Sequence, residues 1–378
     1  MGENEALGIE APTRSSRDRA DLSEPLRAWL ASTLPDDAEP TVGEVQSPSA
    51  NGMSSESLLF EAQWYEDGEQ RQVPLVARLE PDAGDVPIFP AYDLANQYRI
   101  MQLVGQNSSV PVPPVRWHEP DARHLGAPFF VMDRVAGQIP ADIIPYTMLG
   151  WVIDASDEER TRLEHATVGI IADIHAIDIS KLDTKFLELD RPGDTPLARH
   201  FENQKRYYEW ARGGISHPII EAAFTWLEDN WPENEGEAVI SWGDSRIGNV
   251  IYQDFAPVAI LDWEMAGLAP RELDVAWLIV LHAFFQHITE NYALPGLPNF
   301  LNRDRVAAAY EARSGHKLSN LLWYEVYCSL RHAIIMARIH HRSVHFEQAT
   351  WPEDVDEVIP HRGLIQMMLD GTYSSSSV

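Results

Sequence analysis

The chain has 378 residues, 44% of them hydrophobic and 23% charged, an ordinary balance for a folded protein long enough to bury a large core in two or more lobes. A net charge of −29 would repel a phosphate backbone, which argues against nucleic acid as a partner and suits a cationic one. The single cysteine, Cys328, excludes an intrachain disulfide and reads as a small buried hydrophobe.

Positions 1–20 mix acidic and basic residues without the apolar run of a signal peptide and read as a tail, as do 373–378. The longest apolar stretch, 275–285, is interrupted by His282 and too short to span a bilayer. A cytoplasmic protein with no membrane partner is therefore expected. The first predicted helix covers 24–34, capped by Ser23, with Leu26, Trp29, Leu30 and Leu34 on one face. Strands follow at 58–65 and 73–79, joined by a turn in which Gly68 supplies a positive φ. Upstream, the small-residue stretch 47–57 has the composition of a plain turn, or of a loop that lays N–H groups and hydroxyls over phosphates. Arg78 stands alone near the end of the second strand, where a solvated role is the ordinary one. A helix at 93–104 is stopped by Pro111-Val-Pro-Pro114, and 128–135 forms a further strand ending at Gly137.

Beyond Gly137 the pattern is mainly helical. Ser156 and Glu159 spell a capping box for a helix whose apolar side carries Leu163, Ala166, Ile170 and Ile174. Helices are predicted near 197–211, 218–230, 272–288, 303–314, 320–340 and 355–369, interrupted by short strands at 238–242, 249–253 and 257–262. The fold class is α+β and bilobal: a small β-rich lobe at 21–136 and a larger, mainly α-helical lobe at 137–372, flanked by tails.

The sharpest chemical signal is Ile240-Ser-Trp-Gly-Asp-Ser-Arg-Ile-Gly-Asn-Val-Ile-Tyr252 followed by Val258-Ala-Ile-Leu-Asp-Trp-Glu264. Two β-branched runs deliver Asp244 and Asn249 on a connecting loop and Asp262 at the end of the second run. One group to orient a hydroxyl and two to hold Mg²⁺ are what phosphoryl transfer asks for. Other polar residues carry plainer readings. Asp274, at a helix start, reads first as a cap or dipole partner, and His175 as a buried, hydrogen-bonded histidine. His340, His341 and His345 point to different faces of a helix and make no zinc set. Glu264 fits either a metal or substrate contact or a structural salt link. The acidic clusters at 154–159, 228–237 and 353–357 read as solvated faces.

Trp242-Gly-Asp-Ser-Arg-Ile-Gly-Asn249 with Leu261-Asp-Trp-Glu264 resembles the catalytic signature of the aminoglycoside phosphotransferase and choline kinase-like family, which has a protein kinase-like fold. Gly52-Met-Ser-Ser-Glu-Ser57 resembles its nucleotide loop, Leu125-Gly-Ala-Pro-Phe-Phe-Val-Met132 the strand into its hinge, Ala172-Asp-Ile-His175 the helix before the catalytic hairpin, and Arg271-Glu-Leu-Asp-Val-Ala276 the helix after it. Together these cover roughly 40–345. The resemblance implies a Mg²⁺-dependent kinase using ATP or GTP, with a small-molecule hydroxyl as acceptor. Asp244 would accept or orient the hydroxyl proton, Asn249 and Asp262 would bind Mg²⁺, and Arg246 would place a cation on the transferring phosphoryl group. Ser54, Ser55 and Arg78 would contact phosphates, and the hinge backbone around Asp133 and Val135 would hold the base.

Three departures from the family pattern stand out. Trp242 replaces the usual His, and its indole N–H can donate to a neighbouring carbonyl. Arg78 replaces the usual Lys, and Gln97 stands where a Glu would pair with that cation, leaving a neutral hydrogen bond. An aminoglycoside is the family's name-giving acceptor, but family members also phosphorylate other alcohols, so antibiotic resistance is not implied. Two alternatives follow: a hydroxy-acid or hydroxyacyl kinase, which needs a basic acceptor pocket, and a nucleotide-binding pseudokinase with a regulatory role.

Overall fold

The computed structural model describes residues 22–46 and 56–373. The first helix, α1 (Ser23–Thr33), buries Leu26, Trp29 and Leu30. Trp29 meets Phe129 edge-on at 4.8 Å and donates its indole N–H to Glu119 at 3.1 Å. Ser23 does not cap it: Leu22 takes the N-cap position, and the Ser23 hydroxyl donates instead to the Gly43 carbonyl at 2.9 Å.

The small lobe is a five-stranded antiparallel sheet of order β1-β2-β3-β5-β4, built from β1 (Thr41–Val42), β2 (Glu56–Glu66), β3 (Glu69–Leu79), β4 (Val115–Glu119) and β5 (Phe129–Asp133). β2 and β3 run longer than predicted because Asp67 (φ 53°) and Gly68 (φ 78°) form a two-residue turn with positive φ at both positions, which matches the twist of the strands it joins. Side chains alternate across the sheet. Leu58, Phe60, Ala62, Leu75, Ala77, Leu79, Phe129 and Val131 face α1, while Val76, Phe130 and Met132 face the other way, toward the large lobe. Arg78 shares the face of Val76, so it points into the space between the lobes and not into solvent. α2 (Leu94–Asn107), capped by Asp93 accepting from Asn96 N–H at 2.9 Å, packs on this face. β4 was not among the predicted strands; its half-buried residues lack clear alternation.

At Gly137, after β5, φ is 150° and a Cβ would lie 2.4 Å from Ile251. Gln138 and Tyr252 then exchange backbone hydrogen bonds at 2.9 and 2.8 Å, fastening the interlobe segment to the central hairpin. The helices are α3 (Trp151–Asp154), α4 (Asp157–His175), α5 (Pro196–Ala211) and α6 (Pro218–Asp229). Two antiparallel ribbons follow, pairing β6 (Ala238–Ser241) with β9 (Gly267–Pro270) and β7 (Val250–Gln253) with β8 (Ala256–Ile260). Next come α7 (Glu272–Asn291), α8 (Arg303–Ser314), α9 (Leu321–His345) and α10 (Arg362–Leu369).

The capping box at Ser156 and Glu159 is formed. α4 buries Leu163, Thr167, Val168, Ile171 and Ile174, a face turned slightly from the predicted one, with Ala166 and Ile170 half-buried at its edge. α7 is buried nearly all round, as the central helix of the lobe. The segment predicted as one helix over 355–369 splits at Pro360, which biases Ile359 away from helical ψ. Among the described residues no helix is long and apolar enough to cross a membrane.

Candidate active site

The loop between β6 and β7 is organised by a buried carboxylate on the first turn of α7. Asp274 accepts from Trp242 N–H at 2.7 Å, Gly243 N–H at 2.9 Å and the Ser241 hydroxyl at 2.8 Å, and its carbonyl accepts from Ser245 Oγ at 2.7 Å. His175, at the end of α4, meets the same carboxylate at 3.0 Å and Tyr310 at 2.8 Å. Burial works against ionised Asp274, but His175, Gly243 N–H and Ser241 outweigh it and hold the pKa below the ordinary value. Asp274 is therefore the anchor of the loop, a role that its helix-start position did not reveal. Gly243 turns the chain at φ 89°, where a Cβ would sit 2.1 Å from the Met265 carbonyl; only glycine fits.

Asp244 emerges from this turn with its carboxylate held by three donors. Trp277 Nε1 lies 2.6 Å from Oδ1, Asn249 Nδ2 lies 2.6 Å from Oδ2, and Arg246 Nε is 3.2 Å from both oxygens. The Arg246 guanidinium also reaches Asp142 at 2.5 Å. Burial alone would lower its pKa, but the two carboxylates raise it well above the usual arginine value. Asn249 donates to the Asp244 carbonyl as well, at 3.1 Å, so the donor end of the amide is fixed and its oxygen is turned away from Asp244. Neither Trp277 nor Asp142 was singled out by sequence reasoning. Trp277 sits inside the apolar run 275–281, and Asp142 lies more than a hundred positions from its partner.

Asp262 follows β8 with φ 60°, a left-handed conformation uncommon outside glycine, asparagine and aspartate. Leu261 N–H donates to the Asn249 carbonyl at 2.9 Å, setting the two candidate metal ligands side by side. Trp242 is fully buried and donates its indole N–H to the Leu261 carbonyl at 2.9 Å, the hydrogen bond expected of it. Replacing Trp242 with Phe keeps an aromatic ring but removes the pyrrole half that carries the N–H, and so orphans that carbonyl. We expect a loss of about 1–2 kcal/mol in stability, read as a lower urea midpoint with an unchanged slope.

Across the cleft, Arg78 pairs with Asp262 at 2.9 Å, both side chains almost fully buried. Among the described residues no hydrogen bond joins Arg78 to Gln97, so the neutral bond expected there is replaced by an ion pair to the large lobe. The cleft has a volume of about 510 Å³, with Leu59, Val76, Met132 and Ile251 as apolar walls and Arg78 and Asp262 as its charged end. Asp133 and Val135 lie in its wall. The Asp133 N–H is already donated to the Pro114 carbonyl at 2.9 Å and its carboxylate pairs with Arg116, so that amide is not free to read a base. Ser54 and Ser55 lie outside the described residues. A second cavity of about 600 Å³ opens on the other side of α2, between Phe89, Tyr92, Phe186, Tyr207, Trp263 and Arg331.

A buried carboxylate holding a tight loop, a second carboxylate fixed by three donors and a third at the end of an apolar cleft form a constellation suited to moving a phosphoryl group. A model of the phosphotransferase enzyme family matches residues 59–314, more than half of the chain. The chain belongs to that family. Among solved structures, a putative aminoglycoside phosphotransferase from Ralstonia eutropha covers 92% of this chain and 97% of its own, with a TM-score of 0.61 at 20% identity. A macrolide 2'-phosphotransferase from Brachybacterium faecium covers 93% and 99%, with a TM-score of 0.51 at 15% identity. These likenesses fix the bilobal, kinase-like fold. A probable acyl-CoA dehydrogenase of Arabidopsis thaliana is 23% identical over 268 residues, which are 67% of this chain and 31% of that one. Acyl-CoA dehydrogenase family member 11 of Homo sapiens is 26% identical over 203 residues, 53% of this chain and 24% of that one. The chain thus spans less than a third of the length of these curated relatives.

Proposed function

We propose that the protein transfers the γ-phosphoryl group of ATP or GTP to a hydroxyl of a small molecule. The observation that carries this reading is the convergence of Asp244, Asn249 and Asp262, each held by different elements and linked through Asn249. Asp244 orients the acceptor hydroxyl and takes up its proton. Trp277, Asn249 and Arg246 keep its carboxylate in one orientation, which supplies the positioning on which phosphoryl transfer depends.

The donor set fits Mg²⁺: Asn249 Oδ1 and the Asp262 carboxylate are hard oxygens, few in number, leaving room for phosphate oxygens and water. When bound, the ion neutralises charge on the phosphates. Arg78 adds a cation at the same end of the cleft, and Arg246, steadied by Asp142, stands two residues after Asp244 to face the transferring group. Val135 and the other backbone groups around Asp133 hold the base between Leu59, Val76, Met132 and Ile251, and Ser54 and Ser55 cover phosphates. On this reading the lobe at 21–136 carries the nucleotide and the lobe at 137–372 carries catalysis and the acceptor.

Related folds support nucleotide use: an aminoglycoside phosphotransferase bound to ADP has a TM-score of 0.52, and an aminoglycoside 2'-phosphotransferase in complex with GDP one of 0.53. The intact Asp244, Asn249 and Asp262 speak against a pseudokinase, which has no chemical need of all three. The test is incubation with ATP or GTP, Mg²⁺ and a panel of hydroxylated acceptors, with phosphate esters detected by mass spectrometry and ³¹P NMR. Nucleotide-dependent ester formation, lost on chelation by EDTA, is the expected result. Nucleotide left intact in the presence of every acceptor would count against the proposal.

A further inference from the structure

The floor of the second cavity contains a buried cation that makes no ion pair among the described residues. Arg331, on α9, is 1% exposed and lines the cavity. Its Nη2 makes one long contact, 3.4 Å, to the carbonyl of Gly243, the residue before Asp244. Nε and Nη1 are buried with no nitrogen or oxygen acceptor, and the Cys328 sulfur, a weak acceptor, lies beside the guanidinium. The face of Trp277 lies 4.5 Å below the guanidinium, which eases the burial of a cation but accepts none of the N–H groups that radiate in its plane.

Three polar side chains around Arg331, those of His200, Tyr327 and Cys328, are neutral. Burial, assisted by Arg331 itself, drops the His200 pKa to about 3, and burial raises the Cys328 thiol to about 12. The Tyr327 hydroxyl, 2.6 Å from His200, is likewise held protonated by burial. Asp274 is committed to the loop amides, Ser241 and His175, and among the described residues no carboxylate comes within 4 Å of Arg331. A buried charge left this way is costly unless something pairs with it. Of the acidic residues of the cavity wall, Asp93, Glu188 and Asp190 are exposed and Glu264 is half-buried, whereas Arg331 is deep, against the carbonyl of Gly243, the residue before Asp244.

We infer that Arg331 is the anchor for a carboxylate on the phosphoryl acceptor, so that the substrates of this site are hydroxylated carboxylic acids and not polycations. The inference rests on the phosphotransferase reading and gives its acceptor a chemical class. Trp277 serves both ends: its face supports the guanidinium that holds the acid, and its N–H steadies the Asp244 carboxylate.

The experiment compares matched acceptors, each a hydroxy carboxylic acid and the carboxamide of identical shape, with the wild-type protein, Arg331→Met and Arg331→Lys. The wild type should favour the acid by about 10- to 100-fold in kcat/KM, the range of one charge-assisted hydrogen-bonded contact. Arg331→Met should abolish that preference mainly by raising KM for the acid, and Arg331→Lys should restore part of it. A purely structural arginine would slow acid and amide alike. Retention of the nucleotide-induced rise in melting temperature shows that a variant is folded; should Arg331→Met fail this control, the wild-type acid-to-amide ratio and the Lys variant decide. Equal use of acid and amide, turnover of cationic or neutral acceptors alone, or an acid preference unchanged in Arg331→Met overturns the inference while leaving the phosphotransferase reading intact. Absence of Asp244-dependent transfer to any acceptor overturns that reading and the inference with it.

Discussion

Asp244→Ala should lower kcat for phosphoryl transfer by about a thousandfold or more, while nucleotide affinity changes by no more than a few-fold. The asymmetry follows from where the carboxylate sits. Its contacts are to Trp277, Asn249 and Arg246, all within the large lobe, whereas the cleft proposed for the nucleotide is walled by Leu59, Val76, Met132 and Ile251 and ends at Arg78 and Asp262. On the proposed function, removing the carboxylate deletes the group that orients the hydroxyl and leaves those walls in place. Asp244→Asn should be nearly as damaging, because a carboxamide cannot accept from Trp277 and Asn249 at once without turning its NH₂ toward a donor. Single-turnover kinetics beside nucleotide titration by calorimetry separates the two quantities. Wild-type kcat in Asp244→Ala would remove Asp244 from the chemistry, and a parallel collapse of nucleotide binding would make it a structural residue.

How far the sequence revealed this arrangement depended on how local the determining contacts are. Asp244, Asn249 and Asp262 are legible because the chemistry compresses them into nineteen positions between short strands, and Trp242 because an indole has only one polar thing to do. The partners that give the site its shape were not. Asp274 reaches back 32 positions to Trp242, Asp142 pairs with Arg246 across 104, and Arg78 finds Asp262 across 184; no periodicity encodes such pairings. Local propensity misled in smaller ways. β9 carries Gly267 and Pro270, poor strand formers, yet pairs with β6 in full register, since tertiary placement overrides a weak local preference. Arg331 lay inside an apolar helix pattern and drew no notice, because sequence shows that an arginine is present but not whether a carboxylate pairs with it.

The lobes also communicate through charge. The Arg78–Asp262 pair bridges β3 and the end of β8 with both side chains about nine-tenths buried, so a cation drawn to Asp262 meets a guanidinium already there. Arg78 has five donors and commits one to Asp262, which leaves the others to follow phosphate oxygens entering the cleft. In the family pattern a lysine paired to a helix glutamate holds that cation in the small lobe. Here Gln97 removes the glutamate, and the cation is held from the opposite side.

Replacement of Asp274 should do damage of a different kind, to folding and activity together. In Asp274→Ala the Trp242 and Gly243 amides, the Ser241 hydroxyl and His175 all lose their acceptor in a site that is fully buried. Each orphaned buried donor costs about 1–3 kcal/mol, and because neighbouring losses overlap, the total should fall at about 3–5 kcal/mol. Gly243 is held in its left-handed turn by one of those bonds, so Asp244 would lose its aim even in molecules that stay folded. The pH dependence has a definite sign. The folded-state pKa of Asp274 is depressed, so its contribution is complete above the unfolded carboxylate pKa, near 3.8, and is lost as pH falls through the lower folded value. The stability gap between wild type and Asp274→Ala, measured by urea denaturation, should therefore be constant near neutrality and narrow only in acid below about pH 4. A gap under about 1 kcal/mol at neutral pH, well short of what even one orphaned donor costs at mid-range, would show that the Asp274 carboxylate does not carry the anchor.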